Sequence, residues 1–335
     1  MTIGGKSKAS AARTVVISGA SSGIGQATAE GFATTGASLV LAARDEDALN
    51  IVAQRCRDLG ARVLVVPTEV GDADAVHALA IAARDFGDGR IDFWFSNVGI
   101  GAVGKFVEVP IDAHERVIRS NLIGHMNDAH AVLPVFIAQG RGTFVNMISL
   151  VGFSGAPFAA AYSASKFGLR GFSEALRGEM ADHPDIHICD VYPSFVDTPA
   201  IGHAGNYTGK RLTAPPPILD PRRVAAAVVS LADHPRDTVI LGTPTWAARV
   251  AHLVSPTLTA RMVSGMFGRY FASADPAPVS SGNLFSPPGD GGRAEGGLRA
   301  PRPVRQRRAA AAIGSIAAVV IAATLIAQRR LSPKM

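Results

Sequence analysis

Four residues of this 335-residue chain carry side chains that could move a proton and stabilise a growing negative charge: Asn121, Ser149, Tyr162 and Lys166. Tyr162 and Lys166 lie four positions apart, so a helix places phenol and ammonium on one face. A free phenol titrates too high for neutral pH, and a neighbouring cation favours the phenolate and lowers that value. The pair therefore reads as a general acid and base. Ser149 adds a hydroxyl able to donate to an oxygen on which charge develops. Upstream stands Gly19-x3-Gly23-Ile24-Gly25. Gly19 allows a tight turn, Gly23 lets backbone approach a phosphate, and Gly25 lets helix and strand pack closely. A turn that holds a pyrophosphate, followed by this acid–base set, is what hydride exchange between a nicotinamide and a carbonyl requires.

These residues need a scaffold, and the rest of the chain supplies the pattern of one. Short apolar runs at 14–18, 38–42, 62–66, 91–95, 142–148, 186–192 and 238–241 alternate with helical stretches at 24–35, 46–59, 72–86, 112–138, 162–180 and 221–233. The runs are continuously apolar rather than alternating, which marks a parallel sheet covered by crossover helices on both faces. The expectation is an α/β fold: a Rossmann-like, doubly wound parallel sheet of about seven strands. The glycine turn follows the first strand and opens the first helix. The second strand ends at Arg44, with no acid before it to accept from a free ribose 2′-hydroxyl. A guanidinium there pairs with a 2′-phosphate, so NADP(H) is favoured over NAD(H). Ser96-Asn97-Val98-Gly99 closes the fourth strand at the carboxyl edge, where the adenosine crevice opens.

With these motifs in place, residues 13 to 245 resemble a short-chain dehydrogenase/reductase of the main, single-domain branch. Gly19, Gly23 and Gly25, Asn97 and Gly99, Asn121, Ser149, Tyr162 with Lys166, and Pro193 with Val196 and Thr198 carry the resemblance. The interval of thirteen residues from Ser149 to Tyr162 matches the family. The resemblance implies that Asn121 kinks the long helix and holds a water beside Lys166, and that Lys166 binds the nicotinamide ribose. It implies cofactor contacts from Gly19, Ser21, Ser22, Gly23, Ile24 and Gly25. It adds Arg44, Glu69, Val70, Asn97 and Gly99, then Tyr162, Lys166, Pro193, Val196 and Thr198. Pairing into a dimer or tetramer through long helices follows from the same likeness. Three positions depart from the pattern: Val98 replaces Ala, Glu69 replaces an adenine-facing Asp, and Ser194 replaces Gly after Pro193.

The remaining segments read as follows. Residues 1–12 are polar and small, a disordered leader. Residues 194–220, rich in Pro, Gly and Thr, form a substrate lid, and 244–271 an apolar helical cap. Residues 273–308 are poor in aliphatics and rich in Pro, Gly and Ser, the composition of a disordered linker. From Phe285 on, nine Lys/Arg stand against two acids, more than the whole net charge of +6. The folded body is thus near neutral, which argues against nucleic acid. The basic residues bracket 309–327, nineteen residues without a charge. As a helix that run measures about 28 Å, close to a bilayer's hydrocarbon thickness. The expectation is a single-pass anchor with a short tail at 328–335 and the catalytic domain in the cytoplasm. Cys56 and Cys189 show neither disulfide nor metal spacing, and no metal site is expected. The substrate expected is a lipophilic ketone, aldehyde or alcohol. A non-catalytic, membrane-tethered NADP(H) sensor is the alternative from another class. A sugar epimerase or dehydratase would want a different glycine spacing and a longer substrate domain.

Overall fold

The computed structural model describes residues 12–299. The expected leader therefore falls almost wholly outside them, and the expected anchor at 309–327 and the tail at 328–335 fall wholly outside. Among the described residues no helix is long and apolar enough to cross a membrane.

In chain order the elements are β1 (Thr14–Ser18), α1 (Gly23–Ala33), β2 (Ser38–Ala43), α2 (Glu46–Asp58), β3 (Arg62–Pro67), α3 (Ala73–Phe86) and β4 (Phe93–Ser96). After a short β5 (Ala102–Val103) come α4 (Ile111–Ile118) and α5 (Gly124–Gln139), joined by one π-helical turn at Arg119–Ile123. Next are β6 (Gly142–Met147), α6 (Ala160–Glu179), β7 (Ile186–Pro193), α7 (Ala200–His203), β8 (Gly205–Asn206), α8 (Pro221–Ser230) and β9 (Thr238–Leu241). Two helices, α9 (Thr243–Val254) and α10 (Pro256–Ser273), follow.

Seven parallel strands form one sheet in the order β3-β2-β1-β4-β6-β7-β9. Val16 pairs with Val40 on one side and with Trp94 on the other, so strand order reverses about β1. Such a switch point leaves a crevice at the carboxyl ends of β1 and β4. Both faces of the sheet are buried. Phe32, Leu49, Val224 and Val228 pack on one face, and Val76, Leu79, Val132 and Phe136 on the other. Beneath the crevice the buried Asp128 of α5 accepts from Ser18 Oγ at 2.7 Å and Ser96 Oγ at 2.6 Å. One carboxylate thereby ties the two strand ends together.

The structure changes several sequence expectations. The fourth strand begins at Phe93 rather than residue 91, because the Gln139 side chain takes both the N–H and the carbonyl of Ile91. The long helix expected at 112–138 is three segments, its middle loosened to the wider π repeat. Residues 194–220 are not a bare loop: they hold α7 and β8, and β8 pairs with β5.

The largest difference concerns 273–308. Its described part, 274–299, lies against the body as a strap. Residues 275–283 run along 203–211, with Asn206 and Ser280 exchanging backbone hydrogen bonds. Leu284 is fully buried beside Ile100, Val109 and Ala113. Further on, Gly292 N donates to Ser21 O and Gly23 N donates to Arg293 O. Buried Asp197 then accepts from the amides of Gly296 and Leu298 and from Arg299 Nε. Composition misled here for a physical reason. A Cβ on Gly291 would stand 2.3 Å from that of Ala48, and one on Gly296 would stand 2.2 Å from Thr198 O. These glycines serve close approach rather than freedom.

Candidate active site

The crevice at the switch point opens into a cavity of about 430 Å3. One end is walled by the glycine turn and Arg44, the floor by Ser149, Tyr162 and Lys166, and the far end by Phe267, Tyr270 and Phe271. Of the expected cofactor residues, Gly19, Ser21, Ser22, Gly23, Ile24, Arg44, Glu69 and Val70 line it, as do Asn97, Gly99, Pro193, Val196 and Thr198. Gly25 and Asn121 do not line it, and both act from behind.

Gly25 is where α1 leaves the turn. A Cβ there would lie 2.0 Å from Gly19 O. Gly25→Ala is expected to push the turn outward, lowering the thermal midpoint by several degrees and weakening dinucleotide affinity about tenfold. Calorimetry and a binding titration read both. Asn121 sits on the π turn, and its Nδ2 donates to Ile100 O while its Oδ1 accepts from Ile100 N, each at 2.8 Å. The side chain thus fixes the loop after β4 that carries Gly99. Asn97 also turns inward, donating to Gly19 O at 3.1 Å.

The acid–base pair differs electrostatically from expectation. The helix does place Tyr162 and Lys166 together, with the ammonium 5.7 Å from the centre of the phenol ring. The phenol, however, is raised above its ordinary value by burial, opposed by a hydrogen bond with Ser149. Lys166 Nζ donates to Met147 O at 2.8 Å, and burial pushes its own value down to about 7. Both groups pay for leaving water, and each shifts toward its neutral form. In this state Tyr162 keeps its proton, the form that can donate to a carbonyl oxygen.

At the end of β2 Arg44 is already engaged. It donates to the carbonyls of Asn283 at 2.7 Å and Leu284 at 3.2 Å. Glu69 Oε1 accepts from Gly71 N, while Oε2 pairs closely with Arg116 and lies 3.9 Å from Arg44. Its carboxylate therefore meets two guanidiniums. Asp45, beside Arg44, accepts from Ala48 N as the cap of α2. Ser194, in the turn after β7, fits because its neighbour is Gly242, where a Cβ would fall 2.3 Å from Ser194 Oγ.

Sequence reasoning missed three features. Arg116 is one, since only folding brings α4 to Glu69. Another is His125, one helical turn after Asn121. It is fully buried, with Asn146 Oδ1 at 2.8 Å and the Val98 carbonyl at 2.9 Å. Burial, then the charge of Lys166, drives it down to about 3, so the ring is neutral. The third is the strap.

Seven parallel strands with a switch-point crevice, a glycine turn and a Ser–Tyr–Lys floor define a dinucleotide-dependent oxidoreductase. Residues 13–206 match the short chain dehydrogenase family, and the chain belongs to it. It is 30% identical over 255 residues to the uncharacterized oxidoreductase YxnA of Bacillus subtilis, covering 75% of this chain and 71% of that one. Among solved structures, a short chain dehydrogenase/reductase from Burkholderia phymatum in complex with NAD matches with a TM-score of 0.62 and 25% identity, over 80% of this chain and 98% of the other. An alcohol dehydrogenase from Thermococcus sibiricus complexed with 5-hydroxy-NADP matches with a TM-score of 0.60 and 25% identity, over 68% and 95%.

Proposed function

We propose that the protein is an NADP(H)-dependent oxidoreductase that interconverts a lipophilic ketone or aldehyde and its alcohol. The observation that carries this reading is the meeting of Ser149, Tyr162 and Lys166 on the floor of one cavity that runs from the glycine turn to an aromatic wall. The residues fit a dinucleotide. The amides of Ile24 and Gly25 precede the first bond of the helix, from Gln26 N to Ser22 O, and suit a pyrophosphate. A bound nicotinamide would supply or accept the hydride.

The chain's own groups do the rest. Ser149 donates to the substrate oxygen as charge develops there. Tyr162 gives up its proton to that oxygen in reduction and takes it back in oxidation. Lys166, anchored on the Met147 carbonyl, sets the field around the phenol. Asn121 holds the Gly99–Ile100 loop against the site.

NADP(H) over NAD(H) is supported by charge. Arg44 and Arg116 converge on the single carboxylate of Glu69, which leaves that end of the crevice with an excess of positive charge, and Asp45 is turned to cap α2. The lipophilic substrate is supported by the far wall, where Phe158 packs edge-on against Phe271, with ring centres 5.0 Å apart, and Phe271 stacks with Phe267. Partly exposed Ile123, Met126, Ile137 and Phe167 on the α5–α6 side support a dimer or tetramer. Residues 309–327, with their flanking arginines, would hold the enzyme at a membrane with the catalytic domain on the cytoplasmic side.

The test is oxidation of NADPH by the full-length protein across long-chain aldehydes, aryl ketones and bulky cyclic ketones, with NADH alongside. We expect kcat/KM at least about tenfold higher with NADPH, and loss of that preference in Arg44→Ala. Equal use of NADH, or a preference for small polar carbonyls, would overturn the corresponding part.

A further inference from the structure

The strap at 274–299 crosses the mouth of the cofactor crevice, and nothing in the catalytic chemistry calls for it. Asn283, Pro287, Pro288 and Gly291 line the same cavity as the glycine turn. The segment is fixed at both ends. On one side the Leu284 side chain is fully buried, and its carbonyl accepts from Arg44 at 3.2 Å and from Arg116 Nε at 2.9 Å. On the other, Gly292 and Arg293 exchange backbone hydrogen bonds with Ser21 and Gly23, and Ala294 is buried between Ala27 of α1 and Ala225 of α8. The strap therefore bridges the arginines at the end of β2 to the turn that begins α1.

One atom of this wall is left unsatisfied. Asn283 lines the cavity, its backbone carbonyl accepts from Arg44, and its side-chain Oδ1 is buried without a hydrogen-bond partner among the described residues. An unpartnered buried carbonyl oxygen is costly and calls for a donor. An adenosine moiety carries such donors in its ribose hydroxyls and its exocyclic amine. The strap's other half, 275–283, pairs along 203–211, so the same segment touches both the substrate loop and the cofactor wall.

We propose that residues 283–293 complete the dinucleotide site as a clasp. Asn283 accepts a hydrogen bond from the adenosine moiety, Arg44 and Arg116 latch the clasp through the Leu284 carbonyl, and cofactor exchange requires the segment to lift. This rests on the dinucleotide reading of the crevice.

The test uses full-length protein and both NADPH and NADH. Dissociation is followed by the fluorescence of the bound reduced dinucleotide after a chase with excess oxidised dinucleotide. Leu284→Ala, which empties the pocket that seats the strap while keeping the carbonyl that Arg44 and Arg116 bond, should speed dissociation at least about tenfold. Asn283→Ala, which leaves the strap backbone in place, should weaken affinity about five- to tenfold. Should a variant fold poorly, the wild-type protein still decides: hydrogen exchange at the amides of Gly292, Gly296 and Leu298 should slow when dinucleotide is added. Unchanged dissociation in Leu284→Ala, or exchange indifferent to dinucleotide, overturns the clasp alone. Tighter binding in Leu284→Ala would make the strap a plug and also overturns it. Failure of the wild-type protein to bind either dinucleotide overturns the crevice reading beneath it.

Discussion

Tyr162→Phe should lower kcat by about a thousandfold while leaving dinucleotide affinity within about twofold. The substitution removes one oxygen from a ring whose carbons still pack against the buried cluster that includes Ile100 and Val117. The lost atom is the one bonded to Ser149 at the cavity floor. No other described side chain at that floor can give a proton in its place. Ser149 has its own hydroxyl but no base behind it, and Lys166 is held on the Met147 carbonyl. Stopped-flow single turnovers with preloaded NADPH measure the chemical step, and a fluorescence titration measures affinity. A variant that keeps more than a tenth of wild-type turnover would remove the phenol from the mechanism. The same experiment separates an enzyme from a non-catalytic dinucleotide sensor, which would lose nothing.

Lys166→Met should lower kcat by about a hundredfold or more and should also weaken dinucleotide binding. Methionine matches the stem in length and apolar character, so the buried site is filled and only the ammonium is lost. Its pH signature differs from that of a merely structural residue. In the folded, unliganded protein Lys166 releases its proton near pH 7, well below the ordinary lysine value retained in the unfolded chain. Between those values the unfolded chain binds the extra proton, so stability rises with pH. Below about pH 7 both states carry the charge, and the cost of burying it is present in full. Above about pH 8.5 the thiols of Cys56 and Cys189, both pushed up to about 12 by burial, act in the opposite direction. The expected rise therefore lies between about pH 7 and 8.5, and it should vanish in Lys166→Met. Urea midpoints measured across that window check it. A slope that survives the substitution would place the titrating group elsewhere.

The electrostatic part of the site was the part least legible in sequence. Spacing alone put the phenol and the ammonium on one helix face. It said nothing of how deeply α6 would sink against β6, and that depth decides the sign of both shifts. The expected acidified phenol is instead a protonated one, because burial outweighs the hydrogen bond with Ser149 that favours the phenolate, and the same burial drives the amine toward its own neutral form. Glu69 shows the same limit. An acid after the third strand was legible, but its engagement by Arg116 depends on α4 folding back across the sheet edge. His125 and Asp128 look like ordinary helix polars in sequence. Only packing shows one ring spanning β6 and the loop after β4, and one carboxylate joining β1 to β4.

What the chain's own order of residues determined was local and periodic. Apolar runs too continuous for a half-exposed strand required a sheet covered twice, and a glycine turn after the first of them required a phosphate-sized gap at a helix start. Tyr162 and Lys166, one turn apart, had to share a face. Those conclusions follow from the helical repeat, the pleat and the space glycine leaves. Tertiary structure decided what depends on distant partners: the neutral tendency of the acid–base pair, the duties of Arg44, Glu69 and Arg116, and the course of 274–299. That last segment has too few aliphatics to fold on its own. It gains its order from a surface already built, where glycines fit against Ala48 and Thr198 and one leucine fills a pocket.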